Sequence, residues 1–131
     1  MFVFRIDSHS GVPPYLQLVQ QVRQGVLLGF LKEGDRLPLI REVAETVAIN
    51  PNTVAKAYRQ LEQEGLVTGR PGQGTFVNET PAAPVSPATY TSLQRGLETW
   101  LGRARAAGLD EQAISALFTA ALNQARNENI A

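Results

Sequence analysis

The stretch "AINPNTVAKAYRQLEQEG", residues 48–65, places a proline between two asparagines at the start of an amphipathic pattern. Proline lacks an N–H group and clashes with the preceding helical turn, so a helix tolerates it best at its first position. Asn50, just before Pro51, can cap that helix by accepting a hydrogen bond from a free backbone N–H. We therefore predict a helix that begins at Pro51 and carries Asn52 and Thr53 on its first turn.

Apolar residues at steps of three and four predict two more helices upstream of this one. The first covers residues 14–31 and has Phe30 on its buried face. Gly34 and Pro38 interrupt the chain after it, and a short second helix follows over residues 40–47. The sequence thus predicts three helices, of which the last two are joined by a very short turn.

Two β-prone runs follow, residues 66–68 and 75–77, on either side of the glycine-rich "GRPGQG". Gly65 is expected to end the third helix, because glycine readily adopts the left-handed conformation found there. Short β-prone runs separated by several glycines predict a hairpin with an extended tip. The segment over residues 79–89 carries three prolines and is predicted to be a linker.

Residues 90–131 form a predicted tail of two helices, which are separated by Gly108, with Asp110 as the cap of the second. Each helix has one apolar face, and we expect these faces to hold a dimer together. They consist of Leu93, Leu97, Trp100 and Leu101 on the first helix and of Leu117, Phe118, Ala121 and Leu122 on the second. Ligand pockets commonly enclose about 300–1,000 Å³. Two helices can hardly do so, and we expect no small-molecule effector within the tail.

The order helix, short helix, turn, helix and hairpin predicts a winged helix-turn-helix over residues 1–78. The predicted fold is therefore mainly α with a small β-hairpin, followed by the two-helix dimerisation tail. In a helix-turn-helix, the second helix presents its N-terminal residues to the major groove of DNA. Asparagine can make a paired contact to adenine, and threonine can bond to a base or a phosphate. Asn52 and Thr53 are thus candidate DNA contacts.

Charge argues in two directions. Twelve Lys and Arg balance twelve Asp and Glu, for a formal net charge of +0, so the chain lacks the overall basic character expected of a nucleic-acid binder. A local basic set nevertheless falls where a DNA backbone would pass, provided that the nearby glutamates face away or toward the flanks. These are Glu42, Glu45, Glu62 and Glu64. The set consists of Arg41, Lys56, Arg59 and Arg70.

The blocks "GDRLP", "REVA", "NTVAKAYRQLEQEGLV" and "GQGTFV" resemble the DNA-binding domain of the GntR family of bacterial transcription regulators, over residues 12–78. The "NPNTV" start and the short two-helix tail are similar to the YtrA-type subfamily. The resemblance implies a dimeric DNA-binding repressor. It places DNA contacts at the arginine after the "LP" block, at the start of the recognition helix and at the wing tip. These positions are Arg41, Asn50, Asn52, Thr53, Lys56, Arg70, Gly72 and Gln73.

Three positions depart from the family's pattern. Leu39 stands where many members have a serine that caps the second helix, so that cap is lost here. Pro51 and Ala55 stand where many members have arginine. Base contacts by those arginines do not transfer to this chain, and the operator preference of such members is not expected here.

Other functional classes find little support in the residues. The chain has no cysteine and a single histidine, His9, and we predict no metal site, no cofactor and no enzymatic activity. "GRPGQG" lacks the Lys-Ser/Thr pair of a phosphate-binding loop, and Trp100 lies on a leucine stripe that favours packing over ligand stacking. No apolar run is long enough to span a membrane, and no secretory signal begins the chain, so we expect a cytoplasmic protein.

Two functional hypotheses remain. The first is a sequence-specific DNA-binding transcription regulator, a repressor that binds a palindromic operator in double-stranded DNA as a homodimer. The alternative is a winged-helix protein-interaction module without DNA binding, which the neutral net charge favours. The basic set described above is the feature that discriminates between them.

Overall fold

The computed structural model describes residues 2–80 and 85–130 of the chain. The chain divides into two compact units, Met1–Pro84 and Val85–Ala131, which we call the winged unit and the tail unit. The winged unit contains α1 (Pro14–Leu27), α2 (Ile40–Val47), α3 (Pro51–Gln63), β1 (Val67–Arg70) and β2 (Gly74–Val77). The tail unit contains α4 (Pro87–Ala106) and α5 (Glu111–Ile130). The predicted fold class, mainly α with a small β-hairpin, is confirmed.

Helix α1 begins at Pro14 but is shorter than the sequence predicts. The periodicity extends it to residue 31 with Phe30 buried, whereas α1 ends at Leu27 and Phe30 is 57% exposed. Gly29 explains the difference, because its φ of +80° lies in the left-handed region, where an α-helix cannot continue. The predictions for the end of α1 and for Phe30 are therefore wrong.

Gln17, a buried polar residue of α1, fastens the segment that precedes the helix. Its Oε1 accepts a hydrogen bond from the Asp7 N–H at 2.8 Å. Its Nε2 donates to the carbonyl oxygens of Asp7 and Val12, each at 2.9 Å, and lies 3.1 Å from the Ser10 hydroxyl. A buried amide requires such partners, so Gln17 fixes the path of the chain into α1.

Helices α2 and α3 are joined by three residues, of which Ala48 adopts a left-handed φ of 56°. The N–H of Ile49 donates to the carbonyl oxygen of Ala44 at 3.1 Å and closes the end of α2. Asn50 then caps α3, which begins at Pro51 as predicted. This compact reversal lets the two helices pack as a helix-turn-helix.

Strands β1 and β2 form an antiparallel hairpin, the wing, whose register runs from the Val67–Val77 pair to the Arg70–Gly74 pair. Both strands reach further toward the tip than the predicted runs, because ladder pairing as well as β propensity decides where a strand ends. Gly65, with a φ of +79°, ends α3 as predicted.

One apolar core holds the winged unit together. Its most deeply buried side chains come from α1, α3, β1 and the chain before α2, and Val43 of α2 also belongs to the core. The most deeply buried are Leu18, Val19, Val22, Leu37, Val54, Leu61 and Val67. Burying an aliphatic side chain of this size stabilises the folded state by roughly 1.5–3 kcal/mol. The helix-turn-helix and the base of the wing are therefore positioned by a shared core.

Helix α4 begins inside the segment over residues 79–89 that the sequence predicts as a linker. Ser86 causes this, since its Oγ accepts a hydrogen bond from the Thr89 N–H at 3.2 Å and caps a helix whose first residue is Pro87. The last three residues of the predicted linker are thus helical. Residues 81–84 of that prediction lie outside the described part of the chain.

Within the tail unit, α4 and α5 contact each other through Trp100 and Phe118, whose ring centroids are 5.0 Å apart. Ala104 and Ile114 are also buried. Asp110 accepts a backbone N–H at 2.8 Å and caps α5, as predicted. The Trp100 contact is the packing role that the leucine stripe predicts for this residue.

Candidate nucleic-acid interface

The N-terminus of α3 is the centre of the candidate interface. The Asn50 side chain accepts the Asn52 N–H at 2.8 Å, and the Asn50 carbonyl accepts the Thr53 N–H at 2.9 Å. Asn50 is thereby engaged as a cap, whereas the Asn52 side chain is exposed and Thr53 is half-buried. The partial positive charge at a helix N-terminus favours negatively charged groups nearby. Asn52 is the best-placed side chain here for contact with a base edge.

Lys56 lies on the next turn of α3 and stacks on an aromatic ring. Its Nζ is 3.9 Å from the centroid of the Tyr15 ring, in the first turn of α1. A cation over such a ring is held by the negative charge of the π face. Tyr15 therefore restricts the lysine at the exposed edge between α1 and α3 and leaves its charge unneutralised.

Arg70 is held in the same way at the end of β1. Its guanidinium carbon lies 4.4 Å from the centroid of the half-buried Phe76 ring in β2. The residues that join the strands include Gly72, whose positive φ of 74° suits glycine, and the exposed Gln73. The Gln73 N–H donates to the Arg70 carbonyl at 2.9 Å and closes the tip. The predicted wing residues are thus brought together in one tight turn.

Arg41 and Arg59 are exposed, Arg41 in the first turn of α2 and Arg59 in the second half of α3. Across residues 2–80 and 85–130, the single ion pair joins Arg23 to Glu64. The basic residues predicted from the sequence are therefore free of carboxylate partners within the described chain, and their charges are available to a phosphate backbone.

Two glutamates near the interface are engaged elsewhere. Glu64 accepts hydrogen bonds from Nε and Nη2 of Arg23 in α1, at 2.8 and 2.6 Å. This contact with Arg23 holds the pKa of the Glu64 carboxyl below its ordinary value. Glu62 accepts the Gly69 N–H at 3.1 Å and ties α3 to β1. Arg23 therefore offsets the charge of Glu64, whereas Glu62 keeps its charge in the groove at the wing tip, and Glu42 and Glu45 are exposed on α2.

The relative position of α2 and α3 depends on Tyr58, a buried residue of α3. Its hydroxyl donates to the Pro38 carbonyl at 2.5 Å, just before α2. Burial, followed by the nearby charge of Glu42, raises the pKa of this phenol. Tyr58 therefore stays neutral and acts as a structural tie rather than as a reactive group.

The start of α2 matches the predicted loss of a cap. Leu39 occupies the N-cap position and makes no side-chain hydrogen bond to the helix. The sequence analysis did not predict that Tyr15 and Phe76 support the cations of Lys56 and Arg70. It also did not include Arg36 among the basic residues of the candidate interface. Arg36 pairs with Phe76 on the free edge of β2. Its basic side chain in "GDRLP" was visible in the sequence, but its strand partner was not.

The fold and this face together define a winged helix-turn-helix DNA-binding protein. None of the helices in the described ranges has the length and the apolar character of a membrane-spanning segment. Comparison with known proteins gives the family.

Residues 14–77 match the family model for bacterial regulatory proteins of the gntR family. The chain is also 36% identical over 108 residues to the HTH-type transcriptional repressor YtrA of Bacillus subtilis (strain 168). That alignment covers 82% of this chain and 83% of the relative. The chain belongs to the GntR family.

Two solved structures extend the similarity. A structure described as YtrA from Sulfolobus acidocaldarius, a GntR-family transcription factor, shares 30% identity at a TM-score of 0.53 and covers 80% of this chain and 99% of its own. A transcriptional antiterminator from Listeria monocytogenes EGD-e shares 32% identity at a TM-score of 0.57, with coverage of 91% and 87%. These coverages exceed the winged unit, so the YtrA-type resemblance includes the helical tail.

Family membership makes this chain a DNA-binding transcription regulator rather than an enzyme. Of the two functional hypotheses from the sequence, the DNA-binding transcription regulator is thereby confirmed, and the winged-helix module without DNA binding is not supported. The roles of individual residues, the form of the operator and the oligomeric state stay predictions.

Proposed function

We propose that the protein is a repressor that binds a palindromic operator in double-stranded DNA as a homodimer. One observation carries the proposal: the winged unit has an exposed helix N-terminus at α3 and two cations, Lys56 and Arg70, that are each held on an aromatic ring. A held cation loses less conformational freedom on binding a phosphate than a mobile one. The name of the Bacillus relative, a transcriptional repressor, supports the sign of regulation.

The interface residues divide into two groups in this proposal. Asn52 and Thr53 contact base edges in the major groove, since they lie at the start of the recognition helix. Lys56, Arg59, Arg70 and Arg41 contact phosphates and set the register of the protein on the duplex. Asn50 contributes through its cap, and Gly72 and Gln73 bring the wing tip close to the DNA.

The tail unit supplies the dimer. Four of its leucines remain well exposed in the single chain: Leu93 (64%), Leu97 (45%), Leu117 (44%) and Leu122 (59%). Trp100 and Phe118 are half-buried against each other, with Leu101 also half-buried and Ala121 exposed on the neighbouring turns. Pairing of two tails as a two-fold symmetric bundle would cover these faces.

A dimer also explains how a chain with a formal net charge of +0 could bind DNA tightly. Two linked recognition helices engage two half-sites, and the second contact profits from a high effective concentration. Few phosphate contacts per protomer then suffice for tight binding. We place this activity in the cytoplasm, where a bacterial regulator meets its DNA, and we assign no small-molecule effector to the tail.

Selection of bound sequences from a random pool of duplex DNA tests the proposal. We expect an inverted repeat whose half-sites are separated by about one helical turn or a multiple of it. Sedimentation of the same preparation, free and bound, should give a dimer in both states. Recovery of a single, non-repeated site by a monomer would contradict the dimeric operator complex, and failure to enrich any sequence would contradict specific DNA binding.

A further inference from the structure

Arg36 is a basic residue of the winged unit that no role described above includes. Arg36 forms an antiparallel bridge with Phe76 of β2. The bridge lies on the edge of β2 that does not pair with β1. The Leu37 N–H donates to the Thr75 carbonyl at 2.9 Å, and the Val77 N–H donates to the Asp35 carbonyl at 2.8 Å. Arg36 is thus fixed against the edge of β2 by an isolated antiparallel bridge.

The pairing decides on which face of the wing Arg36 lies. Directly paired residues of an antiparallel sheet project from the same face, and residues two apart along a strand share that face. Arg36 therefore shares a face with Phe76 and with Arg70, whose guanidinium stacks on the Phe76 ring. The opposite face carries the buried Val67 and Val77. The two arginines consequently share the solvent side of the wing.

The stem of Arg36 is held against the backbone of Gly74. A β-carbon built on Gly74 would lie 3.2 Å from Cδ and 3.4 Å from Cγ of Arg36. A side chain at position 74 would therefore require the arginine stem to shift by a few tenths of an ångström, and the φ of +126° at Gly74 also favours glycine. Arg36 also lines the same open groove at the wing tip as Arg70 and Gln73, together with Glu62, whose carboxylate accepts the Gly69 N–H.

The charge of Arg36 has no carboxylate partner in the described ranges, where the one ion pair joins Arg23 to Glu64. The adjacent Asp35 carboxylate instead accepts the Lys32 N–H at 2.9 Å. An exposed guanidinium with a packed stem and no counter-charge is suited to bind a phosphate with two parallel hydrogen bonds.

We propose that Arg36 binds a DNA phosphate beside the phosphate contact of Arg70. Both contacts lie on the DNA strand that borders the DNA groove entered by the wing tip. This inference rests on the proposed binding of operator DNA by the winged unit. It gives each wing two cations instead of one.

The test compares full-length wild type with Arg36→Gln and Arg36→Lys, at several salt concentrations, on the selected operator and on an unrelated duplex. Arg36→Gln keeps a polar stem that can pack on Gly74, so the wing should stay folded, which its circular dichroism melt would verify. We expect the slope of log affinity against log salt to fall by about 0.9 per protomer, because one phosphate contact is lost. Both duplexes should be weakened, and Arg36→Lys should retain the wild-type slope.

Arg5→Ala is the matched control, since Arg5 is exposed in the same unit but lies beside α1, where its backbone bonds to the Gln21 side chain. It should leave the slope unchanged. An Arg36→Gln slope equal to wild type, alongside a reduced slope for Arg70→Ala, would overturn the role of Arg36 alone. Absence of DNA binding by wild type would overturn the proposed function instead.

Discussion

The side-chain oxygen of Asn50 accepts the backbone N–H of Asn52 at 2.8 Å, across the proline that starts α3. The bond satisfies one of the N–H groups that a helix leaves free at its start. Because Asn50 performs the capping, the exposed side chain of Asn52 takes no part in fixing the helix. The capping by Asn50 and the base contact proposed for Asn52 can therefore be tested separately.

Replacement of Asn52 by Ala should weaken specific binding without disturbing α3. A lost base-edge contact typically costs about 1–3 kcal/mol and relaxes preference at one position of each half-site. Binding to the selected operator and to its single-base variants, at fixed salt, measures both effects. Gln63→Ala, an exposed change at the far end of α3, is the control. Wild-type affinity and selectivity in the Asn52 variant would contradict the assignment.

Replacement of Lys56, Arg59 or Arg70 by Ala should weaken operator and non-operator DNA alike. Each change removes one proposed phosphate contact, so the slope of log affinity against log salt should fall by about one unit per half-site. Tyr15→Leu should weaken binding through Lys56, because it removes the ring but not the charge. Titrations over a range of salt concentrations measure these slopes. If none of the three charge-removing variants changed its slope, the proposed docking would be wrong.

The double substitution Leu93→Asp with Leu122→Asp should convert the dimer to monomers. Both leucines are more than half exposed in the single chain, so the change acts on the proposed interface rather than on the contact between Trp100 and Phe118. Analytical ultracentrifugation gives the mass, and operator affinity should fall strongly because the two half-sites are no longer linked. Truncation after Thr80 should have the same outcome, with the winged unit still folded. A dimeric truncated chain would place the interface in the winged unit.

Replacement of Ala48 by Gly should stabilise the winged unit. The left-handed φ of 56° at Ala48 crowds a β-carbon, and this conformation costs a non-glycine residue roughly 1–2 kcal/mol. After the greater chain entropy of glycine is subtracted, a gain of about 0.5–1 kcal/mol in the free energy of unfolding is expected. Ala55→Gly, within α3, should instead destabilise by about 1 kcal/mol. Urea unfolding of both variants checks these opposite signs.

The ion pair between Arg23 and Glu64 should make the tie between α1 and α3 sensitive to acid. Its hydrogen bonds lower the pKa of Glu64 in the folded state, so the folded state binds a proton less readily than the unfolded chain. The contribution is fully present above the ordinary carboxyl pKa and is lost as the pH falls through the lower, folded-state value. An NMR titration should show that the pKa of Glu64 is higher in the Arg23→Gln variant than in the wild type. An unchanged Glu64 pKa in that variant would exclude Arg23 as the cause.

Several local features of the fold are encoded in neighbouring residues and could be predicted without a structure. Asn50 and Pro51 set the start of α3, and Gly65 sets its end, because capping and backbone preference act within a few residues. The motif blocks then gave the family and the winged helix-turn-helix. Local signals were also missed: Gly29, which ends α1, and Ser86, which begins α4, were both present in the sequence.

Tertiary structure decided how the candidate interface is supported. Tyr15 meets Lys56, Phe76 meets both Arg70 and Arg36, and Arg23 meets Glu64, across long separations in sequence for all but the Arg70 contact. The hydrophobic periodicity of the sequence does not predict such pairs, because strand register and helix packing are set by the whole core rather than by adjacent residues. The sequence therefore determined which charges the chain carries and where its recognition helix begins. Only the packed fold decided which of those charges are paired with a carboxylate and which are left without such a partner.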